Sequence, residues 1–227
     1  MLRSFAALMD VDPGFEPQGV VSARMALPEA RYPDAAAQSA FHARVLHNVG
    51  AVPGVEQAAL SSAQPFGGFG GTRPYAPEGL DLGAGGEAPH TNWRVVSESY
   101  FDALGIRLLR GRAFDAGDHA DAQAVAIVDS VLVEKFFPDG NAVGKRIAFD
   151  LTPDADTQWL TIVGVVAPAR LFDLSTPVSK ETVYVPFRQV GLGEADLIVK
   201  TSLAPESLVE PIRRAVLAVD AEMPLFD

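Results

Sequence analysis

The two ends of the chain carry the same order of elements, and that duplication constrains the fold more than any other feature. The first copy is MALPEARYPDAAAQSAFHARVLHNVGAVPGV and the second is VKTSLAPESLVEPIRRAVLAVDAEMPL. Each runs strand, proline, helix, an Ala-Val near the helix end, turn, strand. In the first, GVVSARMAL (Gly19 to Leu27) alternates imperfectly and predicts a strand that Pro28 ends. Tyr32-Pro33-Asp34 starts a helix in which Ala37, Ala40, Phe41, Val45, Leu46 and Val49 recur at helical spacing to about Gly50. Val55 to Ser62 is the strand after it. In the second copy, Asp196 to Thr201 predicts a strand and Pro205 to Val219 a helix with an apolar stripe of Leu208, Ile212, Val216 and Val219. Pro211 falls in its second turn, where the ring does less damage than mid-helix. Met223 to Phe226 is a last strand. Two such β-α-β units interleave into one antiparallel sheet with both helices on one face, the split ferredoxin-like arrangement. The predicted fold class is therefore α+β, with the middle of the chain inserted between the halves.

That middle is strand-rich. Trp93 to Val96, Ile106 to Leu109, Ala124 to Val128, Arg146 to Phe149, Leu160 to Val166 and Thr182 to Val185 read as strands. Ser97 is suited to cap a short helix from Glu98 to Leu104, and a second helix covers about Ser130 to Phe137. Gln64 to Thr91 differs. Its glycines (67, 68, 70, 71, 79, 83, 85 and 86) and prolines (65, 74, 77 and 89) leave too little apolar periodicity for an element, so it reads as a long mobile loop.

Composition closes several routes to function. The chain holds 18 basic against 29 acidic residues, a net charge of -11. Nucleic-acid binding needs a basic face, which here has to be a local exception, and an anionic membrane surface repels such a chain on average. There is no cysteine, which removes disulfides, thiolate catalysis and Cys-based metal sites. No apolar run approaches the roughly 18 residues that span a bilayer, and no signal sequence opens the chain. Taken alone, the chain is expected to be soluble.

The motifs that suggest chemistry mostly dissolve on inspection. GNAVGKR (Gly140 to Arg146) has three residues between its glycines where a P-loop needs four, and Arg146 where Ser or Thr is required. It reads as a turn. GGFGG (Gly67 to Gly71) can cradle an anion on backbone N–H groups but lacks the strand-to-helix context of a dinucleotide site, so it reads as a flexible contact loop. Asp115, Asp118, His119 and Asp121 are either a solvated loop or a divalent-cation site, with spacing unlike an EF-hand. His42 and His47 point about 140° apart on one helix and read as surface residues. Glu98 and Asp102 share a short helix face and read as exposed carboxylates. No G-x-S-x-G elbow is present. No catalytic, cofactor-binding or metal-ligating residue is assigned, and an enzyme is not expected.

Four segments in order carry a family resemblance: VVSESYFDALGIRLLRGRAFDAGD, AVAIVDSVLVEKFFPDGNAVGKRI, TIVGVVAPAR and ETVYVPFRQ. Together they resemble the MacB-like periplasmic core domain of bacterial ABC-transporter permeases. LRSFAALMDVDPGF and the segment through VEQAAL are similar to the duplicated-permease branch of that FtsX/MacB superfamily, common in acidobacteria. The resemblance implies a discontinuous porter-like subdomain (15–90 plus 192–227), an inserted sabre-like subdomain (91–191) and a juxtamembrane remnant (1–14). Leu2-Arg3-Ser4-Phe5 then looks like the end of a first transmembrane helix. It also implies a periplasmic, non-catalytic domain that transmits ATP-driven motion. The implied partners are a cytoplasmic ATP-binding subunit, a periplasmic adaptor and a second permease. No cofactor is implied, and export, lipoprotein extraction and hydrolase regulation stay open. The alternative is a ligand- or partner-binding module not engaged in transport.

Contacts with a partner are expected in the 64–91 loop and on sheet edges. Phe66, Phe69, Arg73 and Tyr75 are the candidates, because aromatic and arginine side chains suit recognition. The stretch YFDALGIRLLRGRAF (Tyr100 to Phe114) reads as structural. Gly105 ends a helix, Gly111 supports a turn, and Arg112 satisfies carbonyls or a carboxylate. Arg107 and Arg110 are expected to be exposed.

Overall fold

The computed structural model describes residues 12–67, 71–80, 89–149, 154, 156–171, 178 and 180–226. The strands are β1 (Val20–Ala26), β2 (Val55–Ser61), β3 (Thr72–Pro74), β4 (Ala76–Pro77), β5 (His90–Val96) and β6 (Leu108–Gly111). After them come β7 (Val125–Asp129), β8 (Arg146–Ala148), β9 (Leu160–Val166), β10 (Thr182–Pro186), β11 (Glu194–Thr201) and β12 (Leu225–Phe226). The α-helices are α1 (Ala35–Gly50), α2 (Tyr100–Ala103), α3 (Ser130–Phe136), α4 (Phe187–Val190) and α5 (Val209–Leu217).

The terminal duplication closes as its pattern requires. β12, β1, β11 and β2 lie side by side in that order, each antiparallel to its neighbours. This is the ferredoxin-like order of two interleaved β-α-β units. Helix α1 begins where Asp34 accepts a hydrogen bond from the Ala37 N–H, which satisfies one of the orphan donors of the first turn. Its inward residues Phe41, Val45 and Val49 are buried with Met25, Leu60, Leu197 and Val199. The last helix is shorter than its stripe suggested. A 3-10 turn over Pro205–Ser207 precedes α5. Pro211 lies in the first turn of α5, where its missing N–H costs nothing.

The sheet does not stop at β2. It continues through β5, β10, β7, β9 and β8 to β4, with β3 on β5 and β6 on β9. Parallel pairs (β5 with β10, β7 with β9) alternate with antiparallel ones, so the sheet is mixed. The join between β2 and β5 rests on one register pair, Ser61 with Val96. Serine hydroxyls extend it: Ser62 Oγ accepts from the Val95 N–H at 3.0 Å, and Ser97 Oγ from the Leu60 N–H at 2.9 Å. Ser97 therefore ties two strands instead of capping α2, whose N-cap is Ser99 without a side-chain bond. The principal core runs under both parts, uniting Met25, Phe41 and Leu197 with Ala126, Ile147, Ile162 and Val183. A second core packs α2 and Phe15 against Ile127, Tyr184 and Ile198.

The stretch expected to be one long loop is partly structural. Within 64–91, β3 pairs with β5 and β4 with β8, and Tyr75 and Ala76 are buried. Residues 68–70 and 81–88 lie outside the described residues.

Candidate functional site

The Tyr100 to Phe114 stretch ties the second core together. Tyr100, Phe101, Leu104 and Phe114 are buried. Gly105 takes a left-handed φ of 63° at the end of α2, as expected for a helix-terminal glycine. Gly111 was expected in a turn but ends β6, at φ 74° and opposite Gly164 of β9. The two glycines let the strands approach closely. Arg112 forks onto Asp118 at 2.8 and 2.7 Å and also donates to the Ala113 carbonyl. Burial pushes the Asp118 carboxyl up, but the Arg112 guanidinium and the Asp115 N–H outweigh it and hold it below its ordinary value. Asp118 thus belongs to a structural clasp. Among the described residues no three acidic or histidine side chains form a group fit for a metal ion. Asp118→Ala is expected to lower unfolding stability in urea by about 1 kcal/mol, because it strands the part-buried Asp115 N–H and half of a charged pair. An unchanged midpoint would show that the clasp adds nothing.

His42 and Asp129 are among the buried titratable groups that escaped sequence reasoning. His42 was read as a surface residue, yet it is fully buried in α1, with Nε2 2.7 Å from the Leu192 carbonyl. Burial pushes it down to about 4, against the pull of that hydrogen bond. Asp129 is also fully buried. Its oxygens accept from the N–H groups of Leu132 at 3.0 Å and Thr182 at 2.9 Å, capping α3 and bracing β10. Burial raises it to about 7 although both donors favour the charged form. Glu181 lies beside it, accepting from Tyr75 Oη at 2.6 Å and Lys135 Nζ at 3.0 Å. A run of apolar strand residues around Asp129 was the available signal, since a carboxylate inside it has to be buried.

The expected contact residues separate. Tyr75 is a core residue, its ring edge-on to Phe136 and its hydroxyl spent on Glu181, and not the exposed contact residue expected of a loop. Phe66 is 44% exposed, stacks obliquely on Phe15 and holds a left-handed φ of 61°, rare for a bulky side chain. Phe69 lies outside the described residues. Arg73 is exposed on β3 with its guanidinium 4.5 Å from the Trp93 ring centroid.

Arg73 and Trp93 stand at a cleft of about 610 Å³. The buried residues Val95, Leu160 and Val185 back it, and Phe149 meets Trp93 edge-on at 4.5 Å. Gln189 fixes one wall: its amide donates to the Gln123 and His119 carbonyls while its oxygen accepts from the Val125 N–H.

The remaining observation concerns strand direction. β1 and β12 are antiparallel neighbours, Arg24 opposite Phe226 and Met25 opposite Leu225. The chain therefore leaves β12 toward the end of the sheet at which it enters β1.

Comparison with known proteins decides the family. The family model for the MacB-like periplasmic core domain matches residues 3–219. The chain belongs to that family. The macrolide export ATP-binding/permease protein MacB of Neisseria gonorrhoeae is 32% identical over 111 residues, which are 49% of this chain and 15% of that protein. Its counterpart in Rhodopseudomonas palustris is 30% identical over 162 residues, 70% of this chain and 22% of that protein. The chain thus spans less than a quarter of the curated relatives it matches. In fold, it is similar to the periplasmic region of MacB from Actinobacillus actinomycetemcomitans (TM-score 0.57, 11% identity, 97% of this chain and 94% of that one). It is also similar to the extracellular domain of the noncanonic ABC-type transporter YknZ from Gram-positive bacteria (TM-score 0.56, 15% identity, 92% and 100%). No helix among the described residues is long and apolar enough to cross a membrane.

Proposed function

We propose that this domain stands outside the cytoplasmic membrane and relays motion, driven by a cytoplasmic ATP-binding partner, to a substrate or partner protein beyond the membrane. The observation that carries the reading is the antiparallel pairing of β1 with β12. It brings the points where the chain enters and leaves the sheet to one end, as two membrane-anchored ends require. The shared core and unbroken sheet support a further point. The porter-like part (15–90 plus 192–227) and the sabre-like part (91–191) move as one body, so a push at the tethered end arrives undamped. The domain does no chemistry itself in this reading. A second permease copy and a periplasmic adaptor are its partners.

This domain contains no cysteine, so labels can be placed in it alone once any cysteine elsewhere in the permease is replaced. In the full-length permease with its ATPase, Leu203 and Val190, 49% and 43% exposed, are replaced by cysteine and spin-labelled. The distance between them within one copy should stay fixed on ATP addition, while the Leu203-to-Leu203 distance between copies changes. Impermeant maleimide should label both in intact cells. A changing internal distance, a static pair of copies, or labelling only after lysis would each contradict the relay.

A further inference from the structure

The cleft beside Arg73 has a feature that the relay does not use. Arg73 is the one charged side chain among the described residues that line it, in a chain whose net charge is -11. No carboxylate or other acceptor among the described residues takes its N–H groups. Arg112, Arg146 and Arg188, for comparison, each meet an acidic side chain.

The stack on Trp93 explains how an unpaired guanidinium is kept in place. The guanidinium carbon lies 4.5 Å from the ring centroid, a contact that consumes none of the N–H donors. Those in-plane donors match the two oxygens of a carboxylate or the oxygens of a sulfonate. Phe149 meets Trp93 edge-on and extends the aromatic wall. A volume of about 610 Å³ is in the range of small-molecule sites, and here polar groups such as Gln158 and Gln189 share the lining with the aromatic pair. We propose that this cleft binds compact amphipathic anions, the acid group forked on Arg73 and an apolar body lying along Trp93 and Phe149.

The chain has two tryptophans. Trp159→Phe leaves Trp93 as the single intrinsic reporter. Two probes of nearly the same shape separate charge from greasiness: 8-anilinonaphthalene-1-sulfonate and its uncharged analogue N-phenyl-1-naphthylamine. The sulfonate is expected to bind saturably, with energy transfer from Trp93. Arg73→Gln should weaken it about tenfold, the loss of about 1.4 kcal/mol of charged hydrogen bonding. Arg73→Lys should fall between, because an ammonium keeps the charge without the planar stack. Binding of the uncharged probe should be weak and indifferent to Arg73. Arg73 is exposed, so neither variant threatens folding, and equal melting temperatures check this. Equal affinity of the sulfonate for Arg73→Gln and the parent, equal binding of both probes, or non-saturable uptake without energy transfer from Trp93 would each overturn the proposal.

Discussion

Gly164→Val is expected to prevent the domain from folding, and Gly164→Ala to cost about 3 kcal/mol or more in urea unfolding. A Cβ at Gly164 would stand 2.3 Å from the Arg112 carbonyl oxygen and 3.3 Å from Ile127 Cγ1. Backbone cannot rotate away as a side-chain tip can, so β6 or β9 has to move. β9 pairs with β6, β7 and β8, so displacement there spreads through half the sheet. Gly111, its register partner, is blocked in the same way: φ is 74° and a Cβ would lie 2.1 Å from the Val163 carbonyl oxygen. Gly144 is the control. It too has a left-handed φ, 86°, but nothing within 4 Å of a Cβ, so Gly144→Ala should cost only about 1 kcal/mol of backbone strain. Equal midpoints for Gly144→Ala and Gly164→Ala would refute the close-approach explanation.

Stability against pH should carry two opposed slopes that nearly cancel. His42 has a folded value lowered to about 4 from 6.5. The unfolded chain binds the proton first, so stability present above pH 6.5 is lost as the pH falls toward 4, by on the order of 3 kcal/mol. Asp129 has a folded value raised to about 7 from 3.8. Its contribution is full below pH 3.8 and is lost as the pH rises through 7, by on the order of 4 kcal/mol. Between pH 4 and 7 the parent should therefore melt at a nearly constant temperature, as far as these two groups decide it. His42→Gln, which keeps a donor for the Leu192 carbonyl, should melt higher as the solution is acidified. Asp129→Asn should melt lower on acidification. Its overall level will also drop, since an amide cannot accept from both the Leu132 and Thr182 N–H groups, so the slope is the quantity to read. Parallel curves for the parent and both variants would exclude these groups as the source.

Much of the architecture was legible because its signals are local. The helical spacing of Phe41, Val45 and Val49 needs nothing beyond α1 itself, and Asp34 caps it from the adjacent residue. Gly105 announces the end of α2 in the same way. Arg112 was expected to meet carbonyls or a carboxylate nearby, and it meets both within six residues. The failures are non-local. Ser97 has the right type and place for a helix cap, but the Leu60 N–H across the sheet claims its hydroxyl. His42 sits on a helix whose pattern leaves its exposure ambiguous, and α4, too short to be seen, covers it. The strands β3 and β4 carry three and two residues, below the length at which alternation is detectable.

Sequence by itself determined the duplicated β-α-β frame, its ferredoxin-like interleaving and the family, because periodicity and ordered motifs survive without any knowledge of neighbours. Tertiary structure alone decided the fate of Arg73 and Tyr75. Two residues apart, they would share one face of a continuous strand. Pro74 ends the pairing with β5, and the chain crosses to β8. Arg73 therefore stays outside on Trp93, while Tyr75 turns into the core beside Phe136 and Glu181. Which strand lies over which face depends on partners distant in the chain, from Trp93 to Phe149, and no local pattern encodes that meeting.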